Sequence, residues 1–337
     1  MRKIDDLYDI RKAEISEMQD VMNFIKINWS RNHILAVNQD FFKYEHMIND
    51  SLDFVIAVKK STKSIVGILG ILRASQCVEN LDIWAGMWKV IDGEVPLLGF
   101  EIYKRALRIY NARSISSVGD NPNTTVKILK ALTKYKVVKM KHYYMLSPRK
   151  EYHIAKVVDR KVMVKTEKSN EIELTLINEF HEIDAQNFLW KNTSVVPYKD
   201  IWYVKHKYFE HPINHYKIWG LRSKNNLVAI MVGREQMYNN TLALRIIDYI
   251  GDYSKFGYLR WYFNEMLGQY EYIDFYQYGF DEEALSAAGF IERKEDDVNV
   301  IPNYFSPFVQ ENIDIWCNSS DQSCVFFKGD GDQDRPN

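Results

Sequence analysis

Gly99 stands between an apolar segment and an amphipathic helix in EVPLLGFEIYKRAL (94–107), where it could serve two purposes. A glycine at a helix N-terminus lets free backbone N–H groups, aided by the helix dipole, hold a phosphate. A glycine here also allows a tight turn within a hydrophobic core. Pro96 lacks an N–H and Glu101 adds negative charge, so the flanking residues leave both interpretations open.

Two histidines have side chains suited to proton transfer. His33 lies in WSRNHIL and His46 in YEHM, and a histidine with a pKa near 6.5 accepts a proton from an ammonium group at neutral pH. Glu94, which flanks the strand-like segment LDIWAGMWKV, is a further candidate base. A lone histidine beside apolar residues is also commonly structural.

The second part of the chain is rich in aromatic and acidic residues. RIIDYIGD and EYIDFYQY place Asp248, Asp274 and Tyr276 on predicted strands. Aromatic faces and carboxylates together suit sugar rings or an amino group. Tyrosines at alternating strand positions are also typical of sheet packing, and this alternative stays open.

The C-terminus, VFFKGDGDQDRPN, carries Asp330, Asp332, Asp334 and Arg335 after two phenylalanines. A solvated acidic tail is the ordinary interpretation of such a charge run. The phenylalanines favour docking instead, because burial would remove their apolar surface from water. We therefore expect the tail to fold back along a cleft, with its carboxylates bonding hydroxyls or an ammonium group.

Composition restricts the classes of function. The 337 residues, 46% apolar and 26% charged, are enough for about two domains. Because 44 basic residues face 45 acidic ones, we expect no nucleic acid as a main partner. No apolar run approaches the roughly 20 residues of a membrane span, and the charged start MRKIDDLYDI argues against a signal peptide. These features predict a cytoplasmic protein without a membrane span.

A metal site has no support in the sequence. Cys77, Cys317 and Cys324 are too few and too scattered for a disulfide framework or a zinc site, which suits a reducing compartment. The eight histidines show neither HExxH nor HxH spacing. The aspartates of the tail lack the closing glutamate of an EF-hand loop. We expect no metal cofactor.

An internal repeat organises the chain. The strand patterns DFVIAVKK and IVGILGIL recur as HYKIWGLR and LVAIMVGR, with the same step from Phe54 to Ile65 as from Tyr216 to Leu227. Each pair precedes a third strand, then a glycine that opens a helix, Gly99 in the first half and Gly257 in the second, and then a strand, a helix and a last strand. Each half is therefore predicted to contain helices, three antiparallel strands, then a helix, a strand, a helix and a strand.

This element order resembles the GCN5-related N-acetyltransferase (GNAT) fold. The resemblance covers residues from about 8 to 148 and from about 150 to 316, and it rests on element order and a few glycines. It implies an α/β (α+β) fold of two tandem GNAT-like domains, each a mixed, mostly antiparallel sheet flanked by helices. We place the domains at 1–148, with the acyl-CoA site, and 149–316, with the acceptor site; a C-terminal strand and acidic tail occupy 317–337.

The resemblance implies that the turn after the fourth strand holds the pyrophosphate of an acyl-CoA such as acetyl-CoA. In the family, that turn has the sequence Gln/Arg-x-x-Gly-x-Gly/Ala, where x is any residue. The matching residues run from Pro96 to Glu101 and keep only the central Gly99. The amides of Leu98, Gly99 and Phe100 are then expected to bind the cofactor.

Two further positions match a donor site in the first half. The family parts its fourth and fifth strands, often at a bulge, and Gly86 would fit such a bulge or a close backbone approach. The backbone of Met87 or Trp88 could then bond the thioester carbonyl. Asn121 follows the fifth strand, where the family commonly has an asparagine that contacts the coenzyme arm. Asparagine before proline is also an ordinary helix start.

The catalytic acid of the family is a tyrosine about five residues before a Gly-Phe pair. Leu132 and Leu285 stand at that place in the two halves, which puts the acid in doubt. Tyr135 lies three residues beyond Leu132 and could substitute, as could water or the substrate. The remaining residues of the first half expected to contact the acceptor are Trp29, His46 and Trp84.

The whole chain also resembles a group of bacterial proteins met with surface-polysaccharide genes, through NHIL, YFEHP, EYIDFY, IPNYF and KGDGDQDRPN. That resemblance implies a sugar acceptor. The sequence therefore predicts an acyl-CoA-dependent N-acyltransferase acting on an amino sugar or nucleotide-linked amino sugar. A catalytically silent sugar-binding scaffold and an aminoacyl transferase of the peptidoglycan-bridge type remain alternatives.

Overall fold

The chain forms two mixed β-sheets flanked by helices in a computed structural model that describes residues 4–161, 166–183 and 193–336. The helices of the first half are α1 (Ile4–Leu7), α2 (Met18–Asn28), α3 (Ile34–Val37), α4 (Gln39–His46), α5 (Leu98–Ile109) and α6 (Thr125–Leu132). Its strands are β1 (Tyr8–Lys12), β2 (Met47–Ile48), β3 (Ser51–Leu52), β4 (Phe54–Lys59), β5 (Ile65–Arg73), β6 (Asp82–Val90), β7 (Ser114–Val118), β8 (Lys136–Lys139) and β9 (Lys141–Leu146).

The second half repeats this plan with shorter helices. Its helices are α7 (Ile201–Val204), α8 (Arg260–Met266) and α9 (Glu282–Ala287). Its strands are β10 (Glu173–Ile177), β11 (Lys217–Ser223), β12 (Asn226–Tyr238), β13 (Thr241–Gly251), β14 (Tyr272–Tyr278), β15 (Ile291–Glu292), β16 (Tyr304–Phe305), β17 (Phe308–Val309), β18 (Trp316–Ser319) and β19 (Phe326–Phe327). Tight 3₁₀ turns cover Ile15–Glu17, Phe180–Glu182 and Tyr253–Leu259, and a π-helical turn covers Lys205–Phe209. No helix in the described ranges has the length and apolar character needed to cross a lipid bilayer.

The predicted hairpins and the helix after Gly99 are confirmed. β4 pairs antiparallel with β5, and β11 with β12, as their apolar strand patterns indicate. Helix α5 buries Leu98, Ile102 and Ala106, whose spacing of four residues places them on one face. That face packs on the core of the first sheet beside Leu69. The helix therefore fixes the turn before it against strand β6.

The two halves exchange their closing strands. The first sheet has the order β1-β4-β5-β6-β7-β18-β8, so a strand near the C-terminus lies between two strands of the first half. The second sheet has the order β10-β11-β12-β13-β14-β9-β15, so β9 of the first half lies within the second. The domain boundaries at residues 148 and 316 stay a prediction, because both exchanged strands pair with the other half.

Strands β6 and β7 part after a short parallel ladder. They pair at Asp82, Ile83 and Trp84, whereas β6 continues to Val90 beside a gap in the sheet. The register of β5 on β6 also shifts, so that Gly86 and Met87 together lie opposite one residue of β5. This bulge turns the backbone of β6 towards the gap.

The corresponding gap of the second half is filled by the chain itself. Strands β13 and β14 pair in parallel only from Leu244 to Ile246 on β13. Strand β19 then pairs with β14, and Gly329 N donates to Ile247 O at 2.7 Å. The two phenylalanines of the tail are buried there, at 0% and 2% exposure. Their burial explains why the tail docks.

Candidate functional site

The gap between β6 and β7 opens into a cleft of about 750 Å³. The bulged residues Gly86 and Met87, with Trp88, form its β6 wall. The end of β7 and the start of α6 form the opposite wall. The cleft also contains the predicted donor-site residues Gly99 and Asn121, so the structure brings together strand, turn and helix positions that are distant in sequence.

Gly99 lies at the second residue of α5, where the helix approaches β6 closely. A Cβ atom there would come within 3.1 Å of Trp88 Nε1, so the position favours glycine on packing grounds alone. Leu97, just before the helix, has φ of 65° and turns the chain into it. Glu101 is bound by Arg105 Nε at 2.8 Å and Lys104 Nζ at 3.0 Å, so these cations offset its negative charge. Both functions of Gly99 remain compatible with this geometry.

Asn121 caps the turn that starts α6. Its Oδ1 accepts from the backbone N–H of Asn123 at 2.8 Å, an ordinary turn bond. Leu98 and Phe100 belong to the same helix start as Gly99, and Leu98 is buried with 1% exposure. The N–H of Leu98 donates to Val95 O at 3.3 Å and Leu98 does not line the cleft, so the geometry does not support its predicted contact with a cofactor.

His33 lines the cleft, but neither of its ring nitrogens has a free lone pair with which to act as a base. Its Nδ1 accepts the N–H of Leu35 at 3.2 Å, so the neutral ring carries its proton on Nε2. Burial, and then the Arg335 guanidinium, lower the pKa of His33 to about 4. This geometry makes His33 a hydrogen-bond donor to the cleft.

The acidic tail crosses the mouth of the cleft. Asp332 and Arg335 lie over Gly86, and Arg335 Nη1 donates to Asp332 Oδ2 at 2.9 Å. Arg335 Nε also donates to Glu45 Oε2 at 2.8 Å. Burial raises the pKa of Glu45, but the guanidinium outweighs that effect and holds the pKa below its ordinary value. The tail is therefore fixed to helix α4 of the first half.

The side-chain amide of Gln333, in the tail, packs against Gly119 at the end of β7. This glycine has φ of 90°, and a Cβ atom there would overlap the Gln333 amide at 1.8 Å. The positive φ favours glycine at this position, and any larger residue would also displace the flexible Gln333 side chain.

A second, smaller cavity of about 60 Å³ lies between the halves on the other side of Arg335. Trp84, Tyr203 and Tyr216 contribute rings to it, and Asp334 lies at its edge. Asp334 accepts from Arg234 Nη1 at 2.6 Å and from Tyr216 Oη at 2.8 Å. The Nε1 of Trp84 is buried without a hydrogen-bond partner in the described part of the chain. This cavity has space for a small polar group.

Two predicted catalytic residues lie outside the cleft. Glu94 accepts from Tyr8 Oη at 2.6 Å and from Lys59 Nζ at 2.9 Å, so it serves an internal network. Tyr135 packs near Tyr103, with 6.3 Å between ring centroids, and burial raises its pKa. Neither side chain lines the cleft, so the geometry does not support their predicted roles in catalysis.

His46 is also a structural residue. It is fully buried beside Phe54, and its Nδ1 donates to Ile71 O at 3.1 Å. Its Nε2 lies 3.1 Å from Glu45 Oε2. The imidazole therefore positions Glu45 and cannot reach the solvent-filled cleft. Of the acceptor residues predicted in the first half, Trp29 lines the cleft and is 53% exposed.

The acidic and aromatic residues predicted to bind substrate in the second half are internal. Asp274 accepts from Arg245 Nη2 at 2.7 Å and lies 3.1 Å from His142 Nε2. Tyr276 stacks on that histidine, with 3.8 Å between ring centroids. Because these partners satisfy the buried groups, the expectation of substrate contact is not supported for them.

A buried lysine forms ion pairs with two further residues that were predicted to bind substrate. Lys199 Nζ lies 2.6 Å from Asp248 Oδ1 and 2.6 Å from Asp330 Oδ1. The structure thus places the ammonium partner of Asp330 inside the protein itself. Of the four charged tail residues, Asp332 and Arg335 reach the cleft, whereas Asp334 and Arg335 reach the smaller cavity.

The sequence prediction missed Asp120, Ser117 and Tyr304, which all line the cleft. Asp120 immediately precedes the predicted Asn121 at the end of a strand, and polar residues at such ends are a usable signal. Tyr304 arrives from a distant hairpin, so no local pattern indicates it.

The comparisons with known proteins support the fold. No protein-family model matches the chain, and no curated protein matches it. A GCN5-related N-acetyltransferase from Anabaena variabilis superposes with a TM-score of 0.55 at 10% identity, covering 92% of this chain and 72% of that one. A conserved protein of unknown function from Enterococcus faecalis, described as a probable N-acyltransferase, gives a TM-score of 0.55 at 8% identity. Coverage is 92% of this chain and 71% of that one.

At these identities, the similarities show the fold alone. They confirm the predicted class, a mixed α/β fold of the GNAT type, and the match over most of the chain is consistent with duplicated GNAT-like domains.

Proposed function

We propose that the chain is an acyl-CoA-dependent N-acyltransferase whose cleft between β6 and β7 binds the acyl donor. The main support is the contrast between the two gaps in the sheets. The first gap opens into about 750 Å³, whereas the chain's own residues fill the second. Within the residues that the structure describes, one such gap is open, and it would supply one donor site.

The donor arm would run between the parted strands. The bulge at Gly86 and Met87 turns backbone groups into the cleft, where the N–H of Met87 or Trp88 could bond the thioester carbonyl. The phosphates would lie at the start of α5, near Gly99, where helix amides and dipole favour anions. Lys89 also lines the cleft and supplies a cation. Asn121 would flank the arm from the α6 side.

An amino sugar, free or linked to a nucleotide, is the proposed acceptor. Two aromatic rings rim the cleft, Trp29 at 53% exposure and Tyr304 at 47%, and exposed rings suit the apolar face of a sugar. Asp332 lies beside Gly86 and could hold the ammonium group. Assembly of a bacterial surface glycan is the proposed context.

Titration of acetyl-CoA by calorimetry tests the donor site. Gly99→Asp places a carboxylate at the phosphate end and should abolish binding by the otherwise unchanged protein. Gly257→Asp is the matched control, because a Cβ atom at either position lies 3.1 Å from its nearest neighbour. We expect the control to bind like the unmodified protein, with thermal melts confirming that both variants fold.

Failure of unmodified protein to bind acetyl-CoA at millimolar concentration would contradict the proposal. It would favour a silent sugar-binding scaffold, an alternative that the loss of the second glycine and the presence of Pro96 in the turn support. Acyl transfer is then measured as release of the CoA thiol with a panel of aminohexoses and their nucleotide conjugates.

A further inference from the structure

The carboxylate of Asp120 forms part of the cleft wall where the chain leaves β7. Its Oδ1 accepts from the Ser117 hydroxyl, and its Oδ2 accepts from Asn318 Nδ2 at 2.7 Å. No ion pair to Asp120 is found in the ranges that the structure describes. Each oxygen therefore keeps a lone pair that can face the cleft.

The position of the carboxylate is set by an exchanged strand. Asn318 lies in β18, and its Oδ1 accepts from Tyr103 Oη at 2.8 Å, which orients the amide so that Nδ2 points to Asp120. The backbone N–H groups of Gly119 and Asp120 both donate to Trp316 O in the same strand, at 2.8 and 3.0 Å. The carboxylate is thus held from two sides and presented to the cleft.

The surroundings of Asp120 make it more basic than an ordinary carboxylate. Burial raises its pKa to about 6, the hydrogen bonds from Ser117 and Asn318 oppose that rise, and the Asp332 charge adds to it. At neutral pH the group is ionised, yet it accepts a proton more readily than a solvated aspartate. Asp332 itself is engaged by Arg335, and His33 offers no free lone pair.

We propose that Asp120 is the general base for acyl transfer in this cleft, an assignment that rests on the proposed function. The acceptor arrives as an ammonium ion and gives one proton to the Asp120 carboxylate. The free amine lone pair then attacks the thioester carbonyl carbon, forming the C–N bond, and the C–S bond breaks. CoA leaves as a thiolate and takes the second amine proton through water. Asp120 returns its proton to solvent, so the products are the amide, CoA thiol and one proton.

The dependence of the rate on pH tests this assignment. The probes are acetyl-CoA and the aminohexose panel, with thiol release followed from pH 5 to 9. We expect log kcat for the unmodified protein to rise through a limb near pH 6. Asp120→Asn should lose that limb and about 10²- to 10⁴-fold in rate. Its affinity for acetyl-CoA should stay within about threefold, because the proposed donor contacts come from the backbone of β6, the start of α5 and Asn121, none of which the substitution replaces.

Two further variants separate a chemical role from a structural one. Ser117→Ala removes a hydrogen bond that stabilises the ionised carboxylate, so the limb should move to higher pH and remain present. Asp321→Asn is the control, because that carboxylate bonds Ser323 outside the cleft and its loss should leave rate and limb unchanged. A purely structural role for Asp120 would not produce the shift in Ser117→Ala.

The outcomes distinguish the two proposals. If the unmodified protein binds no acetyl-CoA or transfers no acyl group, the proposed function fails and this inference falls with it. If transfer occurs but Asp120→Asn keeps the limb and stays within tenfold of the unmodified rate, only the assignment of Asp120 is overturned. A limb that does not move in Ser117→Ala overturns it independently.

Discussion

Replacing Asp120 by asparagine should stabilise the protein at neutral pH. The ordinary pKa of an aspartate is 3.8, and burial raises the pKa of Asp120 to about 6 in the folded protein. Above pH 6 the carboxylate is ionised in both states, and the folded state holds it at a disadvantage. Below about pH 4 it is protonated in both states, and the disadvantage disappears. Asparagine carries no charge at any pH.

The size of the effect follows from the interval between these pKa values. One pKa unit corresponds to about 1.4 kcal/mol, so the full interval is worth about 3 kcal/mol. Solvent in the cleft reaches part of the side chain, which reduces the expected gain in unfolding free energy to about 1–3 kcal/mol. For a chain of this length the gain corresponds to a rise in Tm of about 2–6 °C.

Thermal unfolding of both proteins at pH 4 and pH 7.5 measures this gain. The difference in Tm between the variant and the unmodified protein should be positive at pH 7.5 and vanish towards pH 4. Asp321→Asn should behave oppositely, because hydrogen bonds from Ser323 lower the pKa of Asp321. That carboxylate stabilises the fold above its ordinary pKa of 3.8 and loses this effect only below that value, so Asp321→Asn should have the lower Tm at both pH 7.5 and pH 4. A difference in Tm that does not change between pH 7.5 and pH 4 would refute the electrostatic reasoning, because the loss of one hydrogen bond from Ser117 or Asn318 to asparagine is independent of pH.

Two further substitutions test the buried charges at the tail. Lys199→Met removes the ammonium group that pairs directly with two buried carboxylates and should lower the free energy of unfolding by about 3–5 kcal/mol in urea titrations. The exposed control Lys205→Met should change it by less than about 0.5 kcal/mol. Arg335→Leu removes the main cation that holds the pKa of buried Glu45 low, so burial should raise that pKa above its ordinary value in the variant. Ionising Glu45 then costs the folded variant more as the pH rises, so the loss of Tm should be larger at pH 8 than at pH 5; an equal loss at both values would count against the ion pair.

The sequence predicted the helices and strands better than it predicted which strands pair with one another. Apolar alternation and turn residues indicated both hairpins, and a four-residue apolar spacing indicated α5. In the second half the helix expected after Gly257 begins only at Arg260, because Tyr253–Leu259 forms a tighter helical turn. The exchange of β9 and β18 was not predicted, since the pattern of a strand does not specify which sheet it joins.

The residues of the candidate site were predicted only in part, because local sequence patterns do not specify which distant residues a side chain will contact. Positions next to local signals, such as the glycine of the bulge and the start of α5, do line the cleft. The acids and bases were chosen by residue type, and residue type carries no information about partners. Glu94 and Asp274 are satisfied by internal hydrogen bonds, whereas Asp120 acquires its position from Asn318, about two hundred residues away in sequence.

One continuous segment near the C-terminus determines the difference between the two halves. Strand β18 supplies Asn318, which holds Asp120 at the first cleft. Strand β19 fills the gap of the second half, and Arg335 with its neighbours returns to the mouth of the first cleft. Since the same backbone closes one gap and completes the other, the two halves cannot exchange roles without rebuilding this segment. The difference between the open and the filled gap therefore depends on this segment, although the two sheets repeat one strand order.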